Sequence, residues 1–113
     1  MNANKNPKPR RPQPFQAGEP PLFQLGQIVA TPGALQLLDE HGVQAATLLG
    51  RHVHGDWLGM DEDDRKANVD AVKNGCRIFS SYGVASHKVW VITEAVGDDD
   101  SRGSTCILLP SEY

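Results

Sequence analysis

Crowding of proline at one end limits this chain more than any other feature. Six of its eight prolines fall at positions 7, 9, 12, 14, 20 and 21, among Asn, Lys, Gln and Gly. Proline removes a backbone donor and fixes φ, and this stretch has no apolar periodicity with which burial could offset its ordering entropy. Residues 1–22 are therefore expected to be a disordered basic tail, or to lie extended in a partner's groove. The PxxP-like spacing from Pro9 to Pro12 is a weak signal for any particular receptor. What remains, residues 23–113, suffices for a single domain and is too short for two cores of ordinary size.

Charge divides at the same boundary. In the tail Lys5, Lys8, Arg10 and Arg11 stand against Glu19 alone, a net +3, whereas the other 91 residues hold seven basic and thirteen acidic side chains, a net −6. An acidic body repels phosphate backbones, so nucleic-acid binding is not expected of it and is open only to the tail. The longest apolar runs, such as Val89 to Ile92 and Cys106 to Leu109, are four residues, against the roughly 20 that span a bilayer, so no membrane is expected as a partner. No apolar stretch follows the N-terminal basic residues as a secretory signal requires, and cytoplasmic residence is the expectation. Cys76 and Cys106 each lack a second cysteine nearby, which favours small buried hydrophobes over a zinc knuckle or redox pair.

The domain reads as helices followed by strands. Phe23, Leu25, Ile28 and Val29 form an extended lead-in. Thr31 with Pro32 then starts a helix that runs through Leu35, Leu37, Leu38 and His41 to a left-handed stop at Gly42. A second helix spans Val43 to about His52, making a helical hairpin with the first. Asp61 caps a third helix reaching Asn74. Glu62, Asp63 and Asp64 complement its positive end, Lys73 its negative end, and Gly75 closes it, which accounts for the acidic run without a metal. Beyond it Cys76–Tyr82, Lys88–Ala95 and Ser104–Leu109 are rich in Val, Ile, Thr and aromatics, separated by loops containing Gly83, Gly97 and Gly103. The expected fold is α+β: three helices packed on a three-stranded antiparallel sheet, with Pro110 ending the last strand.

Polar chemistry concentrates in Arg51-His52-Val53-His54-Gly55-Asp56-Trp57. Were His52 to Asp56 extended, His52, His54 and Asp56 would project to one side, as a site with two imidazoles and a carboxylate for a metal requires. Architecture is the stronger reading. Gly55-Asp56 makes a turn, Trp57 anchors it to the core, and His52 ends a helix favourably. A second group, Arg51, Asn68, Arg77, Tyr82 and Glu94, lies where the third helix should meet the sheet. There a buried Arg51 or Arg77 would pair with Asp56 or Glu94 and pin the loop, or the group would recognise a carboxylate or phosphate. Catalytic templates are absent. The chain has no GxxxxGK[ST], GxSxG, HExxH or GxGxxG in a suitable context, and nothing in the spacing of Ser80, Ser81, His87 and Asp98 favours a triad. The adjacent carboxylates Asp98-Asp99-Asp100 suit a solvated turn better than a calcium loop. No catalytic residue, resident metal or cofactor is assigned.

Taken together, Ala30-Thr31-Pro32-Gly33-Ala34-Leu35, Leu48-Leu49-Gly50-Arg51-His52, Gly55-Asp56-Trp57, Asp61-Glu62-Asp63 with Asn68, Gly75-Cys76-Arg77-Ile78, Ser81-Tyr82, Trp90-Val91-Ile92-Thr93-Glu94-Ala95 and Leu108-Leu109-Pro110-Ser111-Glu112-Tyr113 resemble a family of short proteins carried on bacterial plasmids, integrative elements and phage-like islands. The likeness covers about residues 22 to 113. It departs at Leu58, where the family pattern continues GDW with glycine, and in the longer segment Val96–Gly103, where Arg102 is displaced from Asp100. The family has no assigned activity, so the resemblance implies a genetic setting and not a reaction.

Two functional expectations follow. The first is a non-catalytic binding or accessory protein of a mobile genetic element, with a protein partner whose host defence or nucleic-acid-processing complex it modulates, since acidic surfaces occupy basic channels by charge complementarity. The alternative is a small metal-dependent hydrolase or nuclease using His52, His54 and Asp56, with Glu94 as a further candidate.

Overall fold

A computed structural model of the chain describes residues 19–113. Its elements follow in the order β1 (Gln27–Ala30), α1 (Pro32–Glu40), α2 (Ala45–Val53), α3 (Glu62–Asn74), β2 (Ile78–Val84), β3 (His87–Thr93) and β4 (Ser104–Leu108), closed by a 3-10 turn at Pro110–Glu112. The α+β class and the three helices are as the sequence predicts. The tail prediction lies outside the described residues for 1–18. Its last residues are tied down, Leu22 N–H donating to the Val53 carbonyl at 2.9 Å.

The sheet differs from the expected meander. It has four strands in the order β1-β4-β3-β2, because the lead-in segment becomes β1 and pairs parallel with β4, Gln27 opposite Ser104 through Ala30 opposite Ile107. The three later strands are antiparallel as expected. The sheet is therefore mixed, and helices α1, α2 and α3 lie in the connection between β1 and the other strands. The β2–β3 turn falls at Ala85-Ser86 and not at Gly83, which is carried inside β2 opposite Lys88. Ala85 takes the left-handed conformation at φ 55 that so tight a hairpin requires.

Local chemistry explains the helix ends. Thr31 Oγ1 accepts from Ala34 N–H at 3.2 Å, Asp61 Oδ1 accepts from Asp64 N–H at 2.9 Å, and Gly75 at φ 78 ends α3. Buried Ala34, Leu37 and Leu38 recur at i, i+3 and i+4 on α1, the spacing of one helical face. They join Leu48, Tyr82, Val84, Val89, Val91 and Ile107 in one apolar cluster. A second cluster holds Phe23, Val53, Trp57, Met60, Ala71 and Ile78. Between them on the same sheet face sit the buried polar side chains Ser80, Thr93 and Thr105.

The start of α1 is clasped to the residues after β4. The Glu112 carboxylate receives Thr31 O–H and, at 3.2 Å and 2.9 Å, the N–H groups of Gly33 and Leu109. It thus sits at the positive end of α1, and the Thr31 hydroxyl foremost, with the Leu109 N–H, holds it below the usual carboxylate range. A Cβ at Gly33 would come within 2.4 Å of Glu112 Oε2, so the glycine makes room for this clasp. The expected outcome is that Gly33→Ala lowers the melting temperature of the wild-type chain by more than it does in a Glu112→Ala background, where only the Leu109 Cδ1 contact at 3.1 Å opposes the new Cβ. Thermal denaturation of the four chains measures it, and additive effects would contradict the clasp.

Candidate functional site

Helix α2 continues through His52 and Val53 before His54 caps it. Residues two apart on a helix point to different sides, so His52, His54 and Asp56 do not form the one-sided row that an extended segment would make. His52 enters the core with no exposed surface. Its Nδ1 lies 2.6 Å from Ser80 Oγ and its Nε2 2.8 Å from Thr93 Oγ1. His54 lies at the helix end, with Nδ1 2.8 Å from the Gly50 carbonyl and Nε2 2.9 Å from the Glu19 carbonyl. Asp56 turns away from both, to Arg51 Nε at 2.6 Å. Among the described residues no group of three His, Cys, Asp or Glu side chains is placed to hold a metal ion.

Hydrogen-bond directions around His52 fix the proton on its Nε2. Thr105 O–H donates to the Leu25 carbonyl at 2.7 Å. With its single proton used, Thr105 must accept from Thr93 O–H, 2.6 Å away. Thr93 then has no proton left and must accept from His52 Nε2–H. On the other side Trp57 Nε1–H donates to Ser80 Oγ at 2.7 Å, leaving the Ser80 proton for His52 Nδ1. With Nε2–H fixed by the threonines, burial, which disfavours an imidazolium, leaves Nδ1 unprotonated and accepting from Ser80 O–H. Burial, with the nearby Arg102 cation adding to it, lowers the His52 pKa to about 3.

Serine beside histidine, with a third group orienting the ring, matches the outline of a nucleophile and its base. Here Ser80 has no exposed surface, and its oxygen is already engaged by Trp57 and His52. The arrangement holds a core together and cannot meet a substrate. The triad considered on sequence is not assembled, since Ser80 is interior while His87, at the start of β3, and Asp98, in a loop, are exposed.

The turn after α2 is pinned from outside the seam. Arg51 pairs with Asp56 and lays its guanidinium 4.3 Å from the Tyr82 ring centre, and Tyr82 O–H donates to the Asp56 carbonyl at 2.9 Å. Burial pushes the Tyr82 phenol above its usual range, with the Asp56 charge adding to it. Asn68 acts elsewhere. Its amide donates to the Phe79 carbonyl at 2.6 Å and accepts from the Phe79 N–H at 3.1 Å, so α3 closes the β2 edge as a neighbouring strand would. Arg77 and Glu94 do not join this group. Arg77 donates to the Tyr113 hydroxyl at 2.9 Å, and the Glu94 carbonyl, not its carboxylate, receives a bond from Arg102.

Arg102 is the buried arginine that sequence reasoning placed elsewhere. It is 6% exposed and donates to the carbonyls of Cys76, Glu94 and Ala71 at 2.6, 3.0 and 3.1 Å. Two of these lie at the C-terminal end of α3, where the helix dipole favours a cation. Phe23 lies between this cation and the seam, its ring 5.7 Å from the guanidinium and edge-on to His52 at 5.1 Å. An open depression of about 200 Å³ beside Arg102 is lined also by Leu22, Gln24, Val72, Val96 and Asp100, and by none of Arg51, His52, His54, Asp56 or Trp57. Ser80, Thr93, Thr105 and Phe23 were likewise absent from the sequence-derived site. The one available signal was Thr93 following Val89 and Val91 on an inward-facing alternation.

No protein-family model, curated protein or solved structure matches this chain. No helix among the described residues is long and apolar enough to cross a membrane.

Two outcomes test the seam and its clamp. Because the His52 pKa is about 3 folded against 6.5 unfolded, the unfolded chain takes up this proton first. The stability it confers is complete above pH 6.5 and is lost as the pH falls toward 3, at about 1.4 kcal/mol per pH unit in between. Denaturant unfolding from pH 7 to pH 4 should show this slope in the wild type and lose it in His52→Gln, whereas parallel curves would contradict the assignment. Arg102→Met, which strands three carbonyls, should cost about 2–3 kcal/mol, with Arg102→Lys recovering only part because one ammonium cannot reach all three.

Proposed function

We propose that this chain is a non-catalytic accessory protein of a mobile genetic element, acting in the cytoplasm by binding a protein component of a host defence or nucleic-acid-processing complex. The observation that carries this reading is the consumption of the Arg51–Trp57 cluster by the fold. Both His52 nitrogens, the Asp56 carboxylate and the Trp57 indole are bonded to neighbouring side chains. A metal-dependent hydrolase would need His52, His54 and Asp56 to leave these partners together.

What the molecule offers outward is charge. Asp61, Glu62, Asp63 and Asp64 are all exposed at the start of α3, and Asp98, Asp99 and Asp100 in the loop before β4. Such clusters raise the association rate with a basic surface and set its salt dependence. The implied genetic setting supplies the kind of partner, a host complex whose nucleic-acid channel is basic.

Capture from a bacterial host lysate tests this reading when three charges are removed together. Glu62→Gln, Asp63→Asn and Asp64→Asn leave the Asp61 cap intact, so α3 should persist. The expected result is a partner retained at low salt by the wild type, released as salt rises, and not retained by the triple variant. No retained partner at any ionic strength, or equal retention by both proteins, would count against the proposal.

A further inference from the structure

The sheet has two edges, treated differently. At β2 the Asn68 side chain bonds both the N–H and the C=O of Phe79. At β1 no described residue plays that part. Gln27 N–H donates to the Gly103 carbonyl at 3.0 Å and Thr31 N–H to the Ile107 carbonyl at 2.9 Å. The odd-numbered residues of β1 thus face β4, and the alternation of a parallel ladder turns the N–H and C=O of Ile28 and Ala30 toward the open edge.

The side chains at that edge are those that proteins usually exclude from one. Ile28 is 49% exposed and Val29 43%, on opposite faces of the sheet, and Leu35 on α1 is 50% exposed. Edges are commonly guarded by Lys, Pro or a bulge, and β1 has none of these. From Pro20 to Leu38 the chain carries no charged residue at all, in a body of net charge −6. A strand of that composition accepts another uncharged strand, and the chain itself carries one.

We infer that β1 pairs antiparallel with β1 of a second copy of this chain, across a two-fold axis normal to the sheet at Ile28, joining two four-stranded sheets into one of eight. Symmetry sets the register. An axis normal to the sheet keeps the helix-covered faces on one side and places one residue opposite itself, and that residue can exchange both backbone bonds with its copy only if its N–H and C=O point outward. Ile28 meets this condition near the middle of the strand. The same register sets Gln27 opposite Val29, both uncharged, while Gly26, left-handed at φ 66, ends the paired stretch opposite Ala30 with no side chain in the way. Two bodies of like charge repel over most of their surfaces, and this uncharged stretch is where they can approach.

Sedimentation equilibrium of the full chain over micromolar to millimolar concentration, with hydrogen exchange at the Ile28 amide, tests the inference. The expected result is a mass twice that of one chain and an Ile28 amide whose protection rises with concentration. Ile28→Lys places two ammonium groups at the axis and should halve the mass, while Leu58→Lys, at a residue 51% exposed elsewhere, should leave the dimer intact. Ile28→Pro deletes the outward N–H and breaks no bond to β4, so it too should yield a monomer. It serves as a second probe should Ile28→Lys fail to fold. A wild-type monomer at every concentration, a dimer that survives both Ile28 substitutions, or protection of the Ile28 amide independent of concentration would overturn the inference; the last outcome would assign the edge to the chain's own N-terminal residues.

Discussion

The fold turns on a neutral imidazole buried between two apolar clusters. His52 connects the indole of Trp57 through Ser80 on one side, and Thr93, Thr105 and the Leu25 carbonyl on the other. In one line of hydrogen bonds, helix α2, the turn after it, all three antiparallel strands and the segment before β1 are held in relative position. Each hydroxyl in the line gives one proton and accepts one, so no member can reverse without stranding another. A buried polar group left without its partner costs about 1–3 kcal/mol, which makes the line an all-or-none feature of the core.

Such a seam also fixes register. Thr93 and Thr105 face each other across β3 and β4, and their hydroxyls meet only if neither strand slips. A one-residue slip of either strand would turn its threonine to the opposite face and break the pair. Arg102 contributes in a related way at the rim. By collecting carbonyls from the end of α3, from Cys76 and from Glu94, it fastens the third helix to the strands that follow it. Phe23 separates its charge from the imidazole, and the proximity of that cation is a second reason why His52 stays neutral.

Much of this was legible in the residues and some was not, for reasons of range. Thr31-Pro32, Asp61 and Gly75 mark helix ends by local chemistry, and the structure uses them as such. The acidic start of α3 is dipole complementarity, also a local effect. The fourth strand escaped notice because Gln27–Ala30 is short and its parallel partner lies at the far end of the chain, so no hairpin signal announces it. The His52, His54 and Asp56 row failed because α2 runs a residue past its expected end, and helical geometry separates side chains that an extended chain would align. Arg51 does pair with Asp56 beneath Tyr82, since an arginine next to a short loop has few carboxylates to choose from. Arg77 and Glu94 were grouped on strand adjacency alone, and the Tyr113 ring and hydroxyl compete successfully for Arg77.

A histidine, a serine and a tryptophan that would invite a catalytic reading are spent on holding the sheet to its helices, and the proposed contacts are accordingly placed at the acidic helix start and the uncharged strand at the sheet's edge. The most direct test is the ¹⁵N spectrum of the His52 imidazole in the folded protein. The account predicts a protonated Nε2 and an unprotonated Nδ1 at neutral pH, unchanged on acidification until the pH nears the group's value of about 3. An imidazolium at neutral pH, or a proton resident on Nδ1, would contradict it.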